Sequence, residues 1–231
     1  MANRVIDVFL AFSKGDRNTV TIKSGGKTTT TIGTGPEWHW LRNKASKQGF
    51  QLNVFGPPYT PTAATFTDSL KNSEATILIG HGVGTVVAKK WISSQLDLSD
   101  GRVFAPSTEK DGAPGLYLTQ GDKTVNQSRL KTNRVTAVFT CNSHDLLPKA
   151  FEIPEGDVMI TNDGGDDGLT RVGTLENTGF AFVEAYIDSN GKIQESVNMA
   201  QREMNQGSRD KNNGTIKGDP HDAGDTLHIE H

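Results

Sequence analysis

Apolar, β-branched runs recur along the first half of the chain, and amphipathic stretches fill the gaps between them. "VIDVFLAF", Val5 to Phe12, predicts a first strand. "NTVTIKSGGKTTTTIG" predicts a hairpin, two Thr-rich arms around Ser24-Gly25-Gly26. "PEWHWLRNKASKQG" predicts a helix, with Pro36 near its start and Gly49 past its end. "FQLNVFG" reads as a strand, "PTAATFTDSLKN" as a helix and "ATILIG" as a strand again. Strand and helix in alternation predict a mainly parallel sheet with helices on both faces.

Past Gly80-His81-Gly82, "TVVAKKWISSQ" reads as a helix. Residues 98–128 are polar and Gly-rich, with "GLYLTQG" as a short extended piece, and predict an insertion or hairpin over one edge. Val135 to Phe139 and Val158 to Thr161 are further strands. "LENTGFAFVEAYIDS" and "IQESVNMAQREMNQ" predict two closing helices separated by Asn190-Gly191, the first with an apolar stripe of Phe180, Phe182, Val183 and Tyr186. Residues 206–226 read as a mobile polar loop, and "TLHIEH" as a last strand returning to the sheet. No internal repeat is present. The expectation is a single α/β domain over residues 1–231, a three-layer sandwich.

Composition narrows the function. Hydrophobic residues are 34% and aromatics 7%, so the core is modest. A net charge of −3 and a pI near 6.1 lack the basic balance of a nucleic-acid binder. No run of about 18 apolar residues offers a membrane span. In "MANRVIDVFLAF" Asp7 interrupts the apolar run and no A-x-A site follows, so the segment reads as a strand and the protein as cytoplasmic. The single cysteine, Cys141, has no partner for an intrachain disulfide and excludes a zinc site of several thiolates.

The chemistry gathers at strand ends. In an open parallel sheet, functional groups collect beyond the carboxyl ends of the strands. His81 stands just past one such end and Cys141 just past another. A cysteine gains nucleophilicity from a nearby imidazole that raises its thiolate fraction. Gly82 lets the chain present a backbone N–H toward an oxyanion, and the N–H of Cys141 is a second candidate donor.

An apolar strand ending in His-Gly, followed by a second apolar strand ending in Cys, resembles the caspase-like (clan CD) cysteine peptidases. The tail "TGFAFVEAYIDSNGKIQESVNMAQREMN" is similar to the bacterial CHAT and clostripain-like branch. The resemblance implies a caspase-like sandwich and a cysteine endopeptidase needing no cofactor. Cys141 would be the nucleophile, His81 the base or proton shuttle, and Gly82 part of the oxyanion hole. The chain departs from the caspase pattern Gln-Ala-Cys-x-Gly: here Phe139-Thr140-Cys141-Asn142-Ser143 stands in its place, so a true caspase is not expected. In this family the P1 pocket is built partly from the strand and loop after the nucleophile's strand. Here that segment is "VMITNDGGDDG", and Asp163 and Asp166 become candidate substrate-binding residues for a basic P1 side chain. The resemblance also implies a bacterial stress or defence setting. The expected partner is a protein or peptide substrate. The long insert and polar tail offer places for control by a small-molecule or protein activator. The alternative is a catalytically inactive caspase-like binding module.

Plainer readings stand beside these. Cys141 alone reads as a buried small residue. Gly80-His81-Gly82-Val83-Gly84 resembles a nucleophile elbow, but Gly82 occupies the serine position. Neither G-x-G-x-x-G nor a P-loop lysine is present. His144 is a rival imidazole that reads as a solvated helix-start residue. Trp38, His39 and Trp40 read as core packing plus an exposed histidine. His221, His228 and His231, with Asp222 and Asp225, read as a loose polar tail rather than a metal site. The acidic loop Asp163, Asp166, Asp167 reads equally as solvated turn chemistry.

Overall fold

The computed structural model describes residues 4–11, 21–24, 27–30, 36–56, 61–165, 168–170, 172–210 and 225–231. In chain order the elements are β1 (Arg4–Ala11), β2 (Thr21–Ser24), β3 (Lys27–Thr30), α1 (Pro36–Lys47), β4 (Phe50–Phe55), α2 (Ala63–Asn72), β5 (Ala75–Gly80), β6 (Val83–Val87), β7 (Lys90–Leu98), β8 (Gly101–Phe104), β9 (Gly115–Gln120), β10 (Lys123–Asn126), β11 (Leu130–Lys131), β12 (Val135–Phe139), β13 (Phe151–Glu152), β14 (Val158–Asn162), α3 (Val172–Asp188), α4 (Ile193–Asp210) and β15 (Leu227–Glu230). The main sheet runs β15-β14-β12-β5-β1-β4. Every pair in it is parallel except β14 with β15, so the C-terminal strand returns antiparallel at one edge.

Alternation along the strands sorts side chains into two cores. Ile6, Val8 and Leu10 of β1, Ile77 and Ile79 of β5, and Ala137 and Phe139 of β12 face α1, α3 and α4. Phe9, Leu78, Val138 and Met159 point the other way, into a second cluster with Phe66 and Leu70 of α2. Leu96, Leu98, Val103 and Leu116 complete that cluster from the second sheet, ordered β10-β9-β8-β7-β6. The result is a three-layer α/β sandwich. Because β1, β5 and β12 are covered on both sides, their sequences are apolar at nearly every position. On α1, Trp38 is fully buried against Phe180, whereas Trp40 and His39 are exposed.

One row of polar residues crosses this apolar sheet. Asp7, Thr76 and Thr136 occupy matching positions on β1, β5 and β12, and all are buried. Each has partners, as burial demands. Asp7 accepts from Asn53 at 2.8 Å and from Ser73, the residue that ends α2. Asn133 donates to Thr76 at 2.8 Å and accepts from Thr136 at 2.8 Å. The row therefore fixes the end of α2 and the approach to β12 relative to the sheet.

The segment read from sequence as a helix, "TVVAKKWISSQ", is instead the β6/β7 hairpin. Ala88 and Lys89, with φ of +50° and +73°, form a two-residue turn with both central residues left-handed. That turn type favours Asn-Gly, and neither residue is present, so the hairpin carried no local signal. The β-branched content of Val83, Thr85, Val86, Val87 and Ile92 favours strands and prevails. The insertion thus begins at Val83 rather than near residue 98, and it covers the α2 face of the main sheet rather than one edge. β6 is the outer strand, with Val83, Val86 and Val87 exposed. The tail differs as well: α4 continues to Asp210, while residues 211–224 lie outside the described residues. No helix among the described residues is long and apolar enough to cross a membrane.

At the amino ends of the strands, Glu74 gathers Arg4, Arg134 at 3.2 Å and the Tyr186 hydroxyl at 2.7 Å. Burial pushes its carboxyl up, but hydrogen bonds from Arg4 and Tyr186 and the charges of Arg4 and Arg134 outweigh that, and the net displacement is downward. Burial first, and then the facing Glu74, hold the Tyr186 hydroxyl above its usual range, so it remains a donor. Because the folded carboxyl titrates below its ordinary value of 4.5, the cluster's contribution is complete above that value and is lost as pH falls through the lower, folded one. Glu74→Gln is expected to cost about 1–2 kcal/mol at pH 7, after allowance for partial solvent screening. Urea denaturation of the two proteins should show this difference shrinking at pH 3.

Candidate functional site

Five parallel register pairs, from Val135 opposite Ala75 to Phe139 opposite Ile79, make β12 and β5 neighbours. His81 and Cys141 each lie two residues past the last pair. The odd-numbered positions before them, Ile77, Ile79, Ala137 and Phe139, all face α1, α3 and α4. Carried on, that alternation predicts the same face for His81 and Cys141. Cys141 follows it: its thiol donates to the Thr170 carbonyl at 3.3 Å, just before α3. The residue is 7% exposed, whereas His81 is half-buried.

Gly82 follows the imidazole and has a packing reason to be glycine. A Cβ there would overlap the Ser93 side chain and come within 3.1 Å of the Thr140 hydroxyl. The chain can pass between β7 and β12 only without a side chain at this point.

The turn after β12 is pinned from two sides. Ser143 donates to the Val138 carbonyl at 2.7 Å and accepts the Asn162 amide at 3.0 Å, tying the turn to β14. From the inserted sheet, the Ser93 hydroxyl donates to the Cys141 carbonyl and its amide donates to the Asn142 carbonyl at 3.2 Å. The Asn142 side-chain Nδ2 in turn donates to the Trp91 carbonyl at 2.8 Å and to Asp145 at 2.7 Å. Asn142 sits at φ +37°, the left-handed region that Asn tolerates better than most residues.

Asp163 lies at the end of β14, the next strand across. Its Oδ1 accepts from the Thr226 amide at 2.9 Å and the Gly165 amide at 3.1 Å, and its Oδ2 lies 3.3 Å from His228 Nε2. Burial pushes this carboxyl up, but the two backbone donors and His228 outweigh it, and it titrates below its usual range. Both oxygens are thus engaged in docking β15. Asp166 lies outside the described residues. His144 is half-buried, turned toward the same edge, with its ring stacked on His228 at 3.8 Å and its Nδ1 2.7 Å from Glu230. His228 therefore belongs to a docked strand rather than a loose tail; His221 lies outside the described residues. Among the described residues, no group of three or more His, Cys, Asp or Glu could hold a metal ion. A groove of about 410 Å³ on α3 and α4, lined by Ala181, Glu184, Asp188, Glu195 and Met199, lies toward the far end of α3 from Thr170.

Ser93, Asn142 and Thr170 did not stand out in the sequence. Asn142 carried a faint signal, an Asn directly after a strand-end residue. Ser93 carried none while its strand was read as helix, and Thr170 is brought in only by tertiary packing.

The chain matches no protein-family model and no curated protein. Among solved structures it aligns with protein GSU0716 from Geobacter sulfurreducens, over 98% of this chain and 92% of that one. The identity is 9% and the TM-score 0.37, a likeness too low to carry an argument.

The geometry around Asp163 predicts a mechanical role that does not depend on any substrate. Asp163→Ala is expected to loosen β15, so the amides of residues 227–230 lose hydrogen-exchange protection by about tenfold or more, the equivalent of roughly 1.4 kcal/mol.

Proposed function

We propose that the protein is a caspase-like cysteine endopeptidase acting through His81 and Cys141. The observation that carries the reading is the parallel adjacency of β5 and β12, whose carboxyl ends bear the two residues. In the proposed reaction the Cys141 thiol gives its proton to His81 and the sulfur bonds to the scissile carbonyl carbon. Backbone N–H groups of Gly82 and Cys141 receive the oxyanion. The carbon–nitrogen bond breaks as His81 returns the proton to the leaving amine. Water, deprotonated by His81, then attacks the thioester, and the thiol leaves with that proton. A reduced thiol nucleophile suits a reducing cytoplasmic setting, and the acidic pI disfavours a nucleic-acid partner.

The reading includes cleavage after a basic residue, from the acidic loop 163–167. With the Asp163 carboxylate engaged in docking β15, that preference leans on Asp166. One observation favours a second reading, a regulatory module whose thiol is silent or latent. Cys141 is nearly buried and donates its proton to the Thr170 carbonyl, a bond that must break before the sulfur can act. A small-molecule or protein activator would supply that change.

Peptide-library profiling tests both readings. Wild-type protein should cleave after Arg or Lys at least about tenfold faster than after Asp, since a like-charge contact costs several kcal/mol when desolvated. Cys141→Ala and His81→Ala should each lose turnover by about a thousandfold or more while unfolding at unchanged temperature. Turnover that survives Cys141→Ala would exclude the peptidase mechanism, and labelling of Cys141 by an electrophilic peptide that ignores His81 would favour the regulatory module.

A further inference from the structure

We infer that Ser93, on the inserted sheet, is a positioning residue for the Cys141 nucleophile. The inference rests on the peptidase reading above. Ser93 is fully buried on β7, and two of its polar groups bond to two consecutive carbonyls of the nucleophile turn. Its hydroxyl donates to the Cys141 carbonyl and its amide to the Asn142 carbonyl. The bond from Asn142 Nδ2 back to the Trp91 carbonyl closes the clamp.

The clamp holds a conformation that the turn alone disfavours. A non-glycine residue at φ +37° relaxes toward negative φ when its surroundings let go. Asn142 is covalently next to the nucleophile, so that relaxation would swing the Cys141–Asn142 peptide plane out of the clamp and shift Cys141, with its sulfur and its N–H together, away from Gly82 on the other side of Ser93. Ser93 also packs against Gly82, so one side chain sets the spacing between both proposed oxyanion donors. Its position on β7 is set by an irregularity in the β6/β7 ladder, where pairing passes from Val83 with Gln95 to Gly84 with Ser93. The side chain lies on the α2 side of the sheet, against Gly82 and Thr140, while the sulfur faces Thr170. Ser93 therefore acts through the turn and does not touch substrate.

The chain's single cysteine makes the test clean, because any thiol reagent reads Cys141 alone. Ser93→Ala is compared with wild type on the library peptide that wild type cleaves fastest. The expected result is a fall in kcat of about 10- to 100-fold with KM within about twofold, the pattern of a misplaced reacting group. Alkylation of Cys141 by iodoacetamide, which needs no oxyanion hole, should stay within about twofold. Unchanged kcat overturns the inference, as does a large rise in alkylation, which would mean that the turn has merely come open. If Ser93→Ala does not fold, Asn142→Ala carries the test, since it removes the bond to Trp91 that closes the clamp and leaves at φ +37° a residue that tolerates that region less well than Asn; the same loss of kcat is expected, and its absence overturns the inference. Wild-type protein without Cys141-dependent turnover overturns the peptidase reading and the inference together. Turnover that needs Cys141 but not Ser93 overturns the inference alone.

Discussion

The ladder between β5 and β12 joins two strands separated by the whole inserted sheet in sequence and by a single strand spacing in space. Parallel pairing demands that the chain leave the top of β5, travel, and re-enter at the bottom of β12. Here the journey passes through β6 to β10 and returns by way of β11 and the turn at Asn133. The insert cannot drift, because its start at Gly82 and its strand β7 are both wedged against the turn after β12. The same ladder that builds the core therefore determines where His81, Cys141 and their supports stand.

The two ends of the sheet are held by different physics. At the amino ends, charge does the holding: Glu74 binds Arg4, Arg134 and Tyr186, and the buried Asp7–Thr76–Thr136 row sits one step inside. At the carboxyl ends, carbonyls, hydroxyls and amides from Ser93, Asn142, Ser143 and Thr170 hold the turn at Cys141. Neutral hydrogen bonds contribute less individually than charged ones. The bonds named around Cys141 are thus individually weaker than those around Glu74.

Legibility from sequence followed the range of the forces involved. The strands β1, β5, β12 and β14 were plain because two-sided burial leaves a nearly continuous apolar run, broken once or twice by a polar residue. The helix α1 was plain because Pro36 and Gly49 bracket it; α2 was read from its sequence as well, and the structure adds a Thr62 cap with Thr65 in a reciprocal box. The hairpin at Ala88-Lys89 was not, since its turn lacks the residues that announce such turns. The strand-end positions of His81 and Cys141 could be read from local pattern. The engagement of Asp163 with Thr226, and the arrival of Ser93 at the Cys141 carbonyl, could not, because those partners are distant in sequence and nothing local encodes them.

The outer strand β6 has a consequence for how the molecule lives among its own copies. Its valines stand exposed along an edge whose backbone groups pair on one side only, β7. Such an edge is a template for any passing extended chain, and crowding or partial unfolding raises that hazard. Three features blunt it here. The strand is only five residues long, its ladder shifts register between Val83 and Gly84, and Lys89 and Lys90 place like charges at its tip. Two copies meeting edge to edge in the same direction would bring their Lys89 ammonium groups toward one another, so the lysine that makes the turn atypical also works against that pairing.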